Sequence, residues 1–345
     1  MCTLVRAQAK GEQALDAEGP PGAIMRIATF NLESLDLTPG GEAVFARRAA
    51  VLGPQLDRLQ ADVLCLQEVN GQHVAGGTGR ELTALTRLLD GTGYRDFHLA
   101  AGAGKGGKGV ADVHNLVILS RWPAREIEVL RHHLVPPLPY RSLTAEPATA
   151  RDLTLAWDRP LLHAVFDLPS VGPLHVVNLH LRSPLASPIP GQKLNADTWG
   201  SLAGWAEGYF TATLKRSGQA LEARLLVERL FDAEPEALVA VCGDLNAGEE
   251  ETPSRILQAR VEDSGNPALA DRALEALEGR LPEPRRFTVL HGGHRRMLDH
   301  ILCSQQLAAC CRGVEADNDD LADETEMAED DPRSNHAPLI ADFDL

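Results

Sequence analysis

Two packed mixed β-sheets covered by helices are the architecture that this 345-residue sequence predicts, an α/β (α+β) arrangement. Three observations carry that expectation. Short apolar runs of strand type alternate with amphipathic stretches in the first third of the chain. The middle third reads as strands in succession with turn residues between them, the pattern of antiparallel pairing. Helical stretches flank these runs and do not alternate with them regularly, which disfavours a purely parallel doubly wound sheet.

The elements follow in order. Residues 1–23 are polar and end in Gly-Pro-Pro-Gly, so they read as a flexible leader, with 24–345 as a single folded domain. "AIMRIATFNL" is a strand, and "GEAVFARRAAVLGPQLDRLQ" has helical spacing, with Pro54 marking a break or a second helix start. "ADVLCLQEV" is a strand, "RELTALTRLLD" a helix and "YRDFHLA" a strand. After the glycine-rich loop 101–109 come the strands "VHNLVILS", "REIEVLR", "LTLAWDRPLLHAVFDL" and "PLHVVNLHLRS". Residues 182–212, rich in Pro, Gly and Trp, read as an excursion over the surface. "SGQALEARLLVERLF" is an amphipathic helix and "EALVAVCGDLNAG" a buried strand ending in a polar loop; "RRFTVLH", "RMLDHILCS" and "HAPLIADFDL" supply the last strands. The stretch 315–331, "EADNDDLADETEMAEDD", reads as a solvated, mobile loop.

Composition narrows the function class. A net charge of -16 argues against a protein held on nucleic acid by bulk electrostatics, which needs Lys and Arg against phosphate. No apolar run reaches the ~20 residues that span a bilayer, and no apolar segment of a secretory signal follows the first basic residues. Six Cys without a CxxC pair, three of them (Cys65, Cys242, Cys303) inside strand-like runs, read as reduced thiols of a cytoplasmic protein.

The informative pattern is the repetition of polar residues where apolar strands stop or are interrupted. Asn31 and Glu33 follow "IATF", Gln67 and Glu68 follow "VLCL", and Asn178 and His180 sit in "VVNLHL". Asp244 and Asn246 follow "VAVCG", Asp299 and His300 follow "RML", and Asn335 and His336 precede "APLIADF". Singly, such residues cap or turn the chain. Six such sets can converge on a common rim. Glu68 and Glu33, with the Asn31 amide oxygen, suit a hard divalent cation such as Mg²⁺ or Mn²⁺. Asp244 suits a water's proton, and Asn246 can donate to phosphate oxygens. His180 and His336 can contact a phosphoryl group, with Asp299 fixing the tautomer of His336.

The segments "TFNLES", "DVLCLQEV", "NLVILSRWP", "VVNLHLRSP", "VCGDLNA", "MLDHILCS" and "SNHAPLIADF" occur in this order, and the series resembles the motifs of the endonuclease/exonuclease/phosphatase superfamily. The resemblance spans residues 25 to 345 and implies a four-layer α/β/β/α sandwich with the site at one end of the two sheets. It implies a metal-dependent phosphoesterase that attacks with an activated water, on a small, lipid-headgroup or nucleic-acid phosphoester. Glu68 resembles the family's metal-binding glutamate, Asn31 its amide on the metal side, and Glu33 a position that is often acidic. His180 resembles a phosphate-contacting histidine. Asp244 and Asn246 match the water-orienting aspartate and its companion, and Asp299 and His336 the paired catalytic histidine. Asn178, Arg182 and Arg216 are further candidates for binding substrate. The departure is Asn335: the family motif there is usually Ser-Asp-His. An asparagine keeps an oxygen ligand and loses the charge, so one metal site is expected and a second is in question.

Other chemistries fit less well. "AGAGKGGKG" has Gly109 where a phosphate loop needs Ser or Thr, and a strand follows it, leaving Lys105 and Lys108 as possible phosphate contacts. His132, His133, His291 and His294 lack the Cys partners of a structural zinc site, and no G-x-S-x-G appears. Trp199, Trp205, Tyr209 and Phe210 are expected to pack the 182–212 excursion. A non-catalytic binding module would be expected to have lost Glu68, Asp244 or His336, and all are present. The charge and the acidic 315–331 segment favour a small or lipid-headgroup diester over a long polyanion.

Overall fold

The computed structural model describes residues 24–74, 76–77, 79–104, 109–148, 153–157, 159–328 and 330–345. The expected leader, and Lys105 and Lys108, lie outside the described residues. The strands of the two large sheets are, in chain order, β1 (Ile24–Leu35), β2 (Val63–Val69), β3 (His98–Ala101), β4 (Asn115–Ser120), β5 (Ala124–Leu130) and β6 (Leu161–Leu168). They continue with β7 (Gly172–His180), β8 (Leu238–Asp244), β9 (Leu274–Ala276), β10 (Asp299–Ser304), β11 (Cys311–Ala316) and β12 (Leu339–Asp344). The first sheet has the order β11-β12-β1-β2-β4-β3 and the second β9-β10-β8-β7-β6-β5.

Each sheet contains one parallel pair, β1 with β2 and β7 with β8; the remaining pairs are antiparallel. A parallel pair needs a crossover, and a helix supplies each. Helix α1 (Glu42–Leu59) connects β1 to β2, α2 (Thr83–Leu89) follows β2, and α3 (Leu202–Ala233) connects β7 to β8, with α4 (Thr252–Gln258) after it.

Strand alternation explains the layering, because successive side chains leave opposite faces of a sheet. Ile27, Cys65, Ile118, Ala164, Val176, Cys242, Ile301 and Ala341 point between the sheets. Phe30, Leu64, Leu66 and Val117 point outward and pack on Leu52 and Leu56 of α1 and Leu85 and Leu88 of α2. Val177, Val239, Val241 and Leu302 meet Ala220, Ala223, Val227 and Phe231 of α3 and Leu257 of α4. The fold is the four-layer α/β/β/α sandwich.

Several element expectations change. Helix α1 continues through Pro54, with Leu52, Leu56 and Leu59 on one buried face. "LTLAWDRPLLHAVFDL" forms two strands, Leu153–Leu155 and β6, and "RRFTVLH" contributes only Val289–His291, paired with His294–Arg296. The excursion expected over 182–212 ends eleven residues early: α3 starts at Leu202, where the Ser201 Oγ accepts from Gly204 N. Gly204 and Gly208, which weaken the helical signal, are where the incoming loop packs; a Cβ at Gly208 would meet Ser187 O at 2.4 Å. Trp205, Tyr209 and Phe210 lie on α3 and stay about half exposed. The 315–331 segment, expected as a mobile loop, is anchored at two points, with Ala316 closing β11 and Asp323 accepting from the N–H groups of Gly292 and Gly293.

Candidate active site

The catalytic candidates stand side by side because the second sheet places them so. His180 ends β7, Asp244 ends β8 and Asp299 starts β10, and the register pairs His180 with Asp244 and Asp244 with Asp299. Gly243 permits the close pairing: its φ is +137°, and a Cβ there would lie 1.9 Å from Leu179 O. The first sheet contributes through irregularities. The β1–β2 pairing shifts register between Asn31 and Leu35, and the β2–β4 pairing shifts between Leu66 and Val69. Within these bulges Glu33, Ser34 and Glu68 adopt positive φ, as does Asn246 in the loop after β8. Such bulges and strained positions re-aim side chains and cluster at functional sites.

Asp244 is buried and held by three donors. Asn246 N reaches Oδ1 at 2.7 Å, while Asn246 Nδ2 and Asn31 Nδ2 each reach Oδ2 at 3.1 Å. Burial, and secondarily the neighbouring Asp299, pushes its carboxyl up to about 6 in spite of the opposing His336 charge and the hydrogen bonds. His336 Nδ1 bonds Asp299 Oδ2 at 2.7 Å, and its Nε2 lies 3.9 Å from Asp244 Oδ2. Burial works against the imidazolium, but the Asp299 and Asp244 carboxylates prevail and raise it to about 10. Asp299 is fixed in turn: Thr288 Oγ1 accepts from the N–H groups of Leu298 and Asp299. His180 Nε2 faces Asp244 Oδ2 at 3.3 Å and Glu68 Oε1 at 3.6 Å. Burial and the Arg159 charge hold this ring neutral. Two imidazoles of opposite charge state thus flank one carboxylate.

Beside this group lies an oxygen-rich corner. Glu68 accepts from Ser34 Oγ at 3.0 Å and stands 3.5 Å from His114 Nδ1. Burial alone would raise its carboxyl, but His114, His180 and Arg159 together hold it far below the usual carboxylate range. Glu33 Oε2 accepts the Asn335 N–H at 2.9 Å, and burial pushes the Glu33 carboxyl up. Asn335 Oδ1 is buried with no hydrogen-bond partner. Two carboxylates and an amide whose oxygen is unspent are the donor types that suit a hard divalent cation, which takes oxygen ligands and keeps waters. Asp244, Asp299 and His336 also bring donor atoms within 4.8 Å of one another. There the Asp299 and Asp244 carboxylates keep His336 protonated on both nitrogens, which leaves no imidazole lone pair for a cation, so the Glu33, Glu68 and Asn335 corner is the candidate cation site.

The profile of the Endonuclease/Exonuclease/phosphatase family matches residues 28–336. The chain belongs to this family. Solved structures agree in fold. Truncated TDP2 from Caenorhabditis elegans superposes with a TM-score of 0.54 at 14% identity, covering 93% of this chain and 98% of that one. A mannosyl-6-phosphatase from Bacteroides thetaiotaomicron gives 0.56 at 12%, covering 92% and 98%. A 3′ phosphatase from Neisseria, bound to a product DNA hairpin, gives 0.51 at 15%, covering 93% and 100%. A search of curated proteins returned no match.

Within the family framework, the structure brings Asn31, Glu33, Glu68, His180, Asp244, Asn246, Asp299, Asn335 and His336 to one rim. Other expectations need correction. Asn178 is fully buried and spends its amide between the sheets, donating to Leu66 O and Val117 O and accepting from Gln67 Nε2. It braces the sandwich and has no donor left for substrate. Arg216 is buried beneath the loop after β8, where it donates to Asn246 O and pairs with Glu251 at 3.5 Å, so it props that loop. Asn31 accepts from Glu33 N through its oxygen and donates to Asp244 through its nitrogen, which ties the corner to Asp244 and leaves the oxygen a second lone pair for a cation. Both amide hydrogens of Asn246 are taken, by Asp244 and Leu181 O, so it orients Asp244 and does not donate to phosphate. Arg182 follows His180 by two residues; its backbone N–H bonds Gln219 Oε1, and its side chain is half-buried with Nε unpartnered.

Sequence reasoning missed His114, Ser334 and Thr288. Ser334 Oγ donates to Asn31 O at 2.7 Å and accepts from His336 N, which joins the last motif to the first. His114 precedes β4 and offered the same signal as the others, a polar residue at a strand end. His300 is structural: it bonds Glu278 and Ala247 O and supports the loop after Asp244 from below.

Proposed function

We propose that this protein is a divalent-metal-dependent phosphodiesterase. The observation that carries the reading is the juxtaposition of a held carboxylate, Asp244, and a charged imidazole, His336, with the Glu33, Glu68 and Asn335 corner. A bound Mg²⁺ or Mn²⁺ would supply charge neutralisation at the phosphoryl oxygens. The chain's own groups supply the rest. Asp244 accepts the proton of the attacking water, its lone pairs aimed by Asn246 and Asn31. His336, kept protonated by Asp299, donates to a phosphoryl oxygen as negative charge builds there. Neutral His180 offers its Nε2–H to another, and Arg182, two residues after His180, is the proposed phosphate-binding cation. The neutral Asn335 favours one cation over two. Buried unpaired Cys65, Cys242 and Cys303 support a reducing, cytoplasmic setting. Among the described residues no helix is long and apolar enough to cross a membrane.

Bis-(p-nitrophenyl) phosphate with Mg²⁺ should be hydrolysed, chelation should stop turnover, and Asp244→Ala or His336→Ala should lower kcat by ~10²–10⁴-fold. Full activity in both variants would refute the site. The second reading is a nuclease; the Neisseria 3′ phosphatase of the same fold, bound to a DNA product, supports a nucleic-acid substrate and not the nuclease reaction itself. A panel of plasmid DNA, abasic DNA, cyclic dinucleotides, sphingomyelin and inositol phosphates separates the two.

A further inference from the structure

An asparagine in a cation site has an orientation problem that an aspartate lacks. Its two ends are nearly the same shape, yet only the carbonyl oxygen can face a hard cation; the amide nitrogen would present protons. Here Asn335 Nδ2 donates to Glu324 Oε2 at 3.2 Å. A carboxylate accepts and does not donate, so the nitrogen is held towards Glu324 and Oδ1 is turned away from it. That oxygen is the buried, unpartnered one.

Glu324 is itself braced. Its other oxygen pairs with His291 Nδ1, and its N–H donates to Leu290 O at 2.9 Å. Asp323 accepts from the turn amides of Gly292 at 2.9 Å and Gly293 at 2.6 Å, and it bridges to Leu290. The hairpin Val289–His294 therefore anchors the acidic segment where Glu324 meets Asn335.

We propose that Glu324, braced by His291, is a positioning residue that sets the amide of Asn335 so that its oxygen serves as a ligand for the divalent cation. The proposal rests on the metal-dependent reading above. It gives a use to the acidic segment, and it ties the segment to this chain's departure from the Ser-Asp-His motif. An aspartate at 335 has two equivalent oxygens and would not need the brace.

Calorimetric titration of the full chain with Mg²⁺ tests the coupling. Glu324→Met should weaken Mg²⁺ binding about 10-fold, the usual scale for removing a partner behind a ligand. Glu326→Gln, which removes a charge from the same segment, should leave binding unchanged. In an Asn335→Asp background, Glu324→Met should not weaken binding, because the orienting bond is no longer required and the Glu324 carboxylate would oppose the charge of the new one. Wild-type affinity in Glu324→Met, or an equal loss in both backgrounds, would overturn the positioning role. If the wild type fails to bind Mg²⁺, or Glu68→Gln binds it as tightly as the wild type, the metal-dependent reading itself falls and takes the proposal with it.

Discussion

His336 and Asp244 show how two proton affinities can move in the same direction for different reasons. Asp244 is raised because its charge is desolvated, and His336 because two carboxylates outweigh its own desolvation. In both cases the folded chain holds its proton at a higher pH than the unfolded chain does. The Asp299–His336 pair therefore stabilises the fold fully below about 6.5, and this contribution is lost as pH rises through about 10. The desolvation cost of Asp244 appears as pH rises from 3.8 to about 6. Activity that needs ionised Asp244 and protonated His336 should rise through about 6 and fall near 10. Asp299→Asn should pull the upper limb down by more than one pH unit, since one unit corresponds to only ~1.4 kcal/mol of lost interaction. A pH–rate profile checks this, and an unmoved upper limb would separate Asp299 from the imidazole.

At the scale of elements, the two sheets are joined by polar groups as well as apolar ones. Gln67 on β2 and Asn178 on β7 meet at 2.7 Å, Thr29 on β1 bonds Gln67, and the Asn178 amide also caps two carbonyls of the opposite sheet. Each group is fully buried, so losing one partner leaves the others without water to replace it. Asn178→Ala should cost about 2–4 kcal/mol in urea unfolding, as expected for several unpaired buried groups. KM for a small diester should stay near the wild-type value. A raised KM at unchanged stability would restore Asn178 as a substrate contact. The same bridge keeps the ends of β2 and β7 together, which keeps Glu68 within 3.6 Å of His180.

For the whole molecule, charge is the deciding property. At -16 the chain repels a long polyanion more than a single diester. Per phosphodiester, plasmid DNA should be cleaved more slowly than a small diester at low salt. Its salt dependence should be shallow, because few Lys and Arg replace counterions; a protein making 6–10 phosphate contacts loses about 10³–10⁵-fold in affinity between 50 and 200 mM salt. A salt dependence that steep would show a basic track on the surface and favour the nuclease reading.

Much of this molecule is legible in the chain itself. Apolar period and turn residues set the two mixed sheets, and the polar residue that closes each apolar run marked Glu68, His180, Asp244, Asp299 and His336, because a strand that ends at the rim must end in something polar. What pattern could not supply is direction. The bulges that turn Glu33 and Glu68 depend on pairing between distant strands. The start of α3 is hidden by glycines whose reason is the loop packed on them. Asn178 and Arg216 look like substrate contacts until their partners, more than 100 and 30 residues away, are seen to occupy them. The acidic 315–331 segment is solvated at Asp319, Asp320, Glu326 and Asp330, as its composition suggests, but the anchoring of Asp323 and Glu324 to the hairpin has no local signal. The sequence by itself determined which chemistry is present and where each strand delivers it. Only the tertiary structure decided which polar atoms are already spent within the fold and which remain free, because a hydrogen bond between distant residues leaves no trace in local composition.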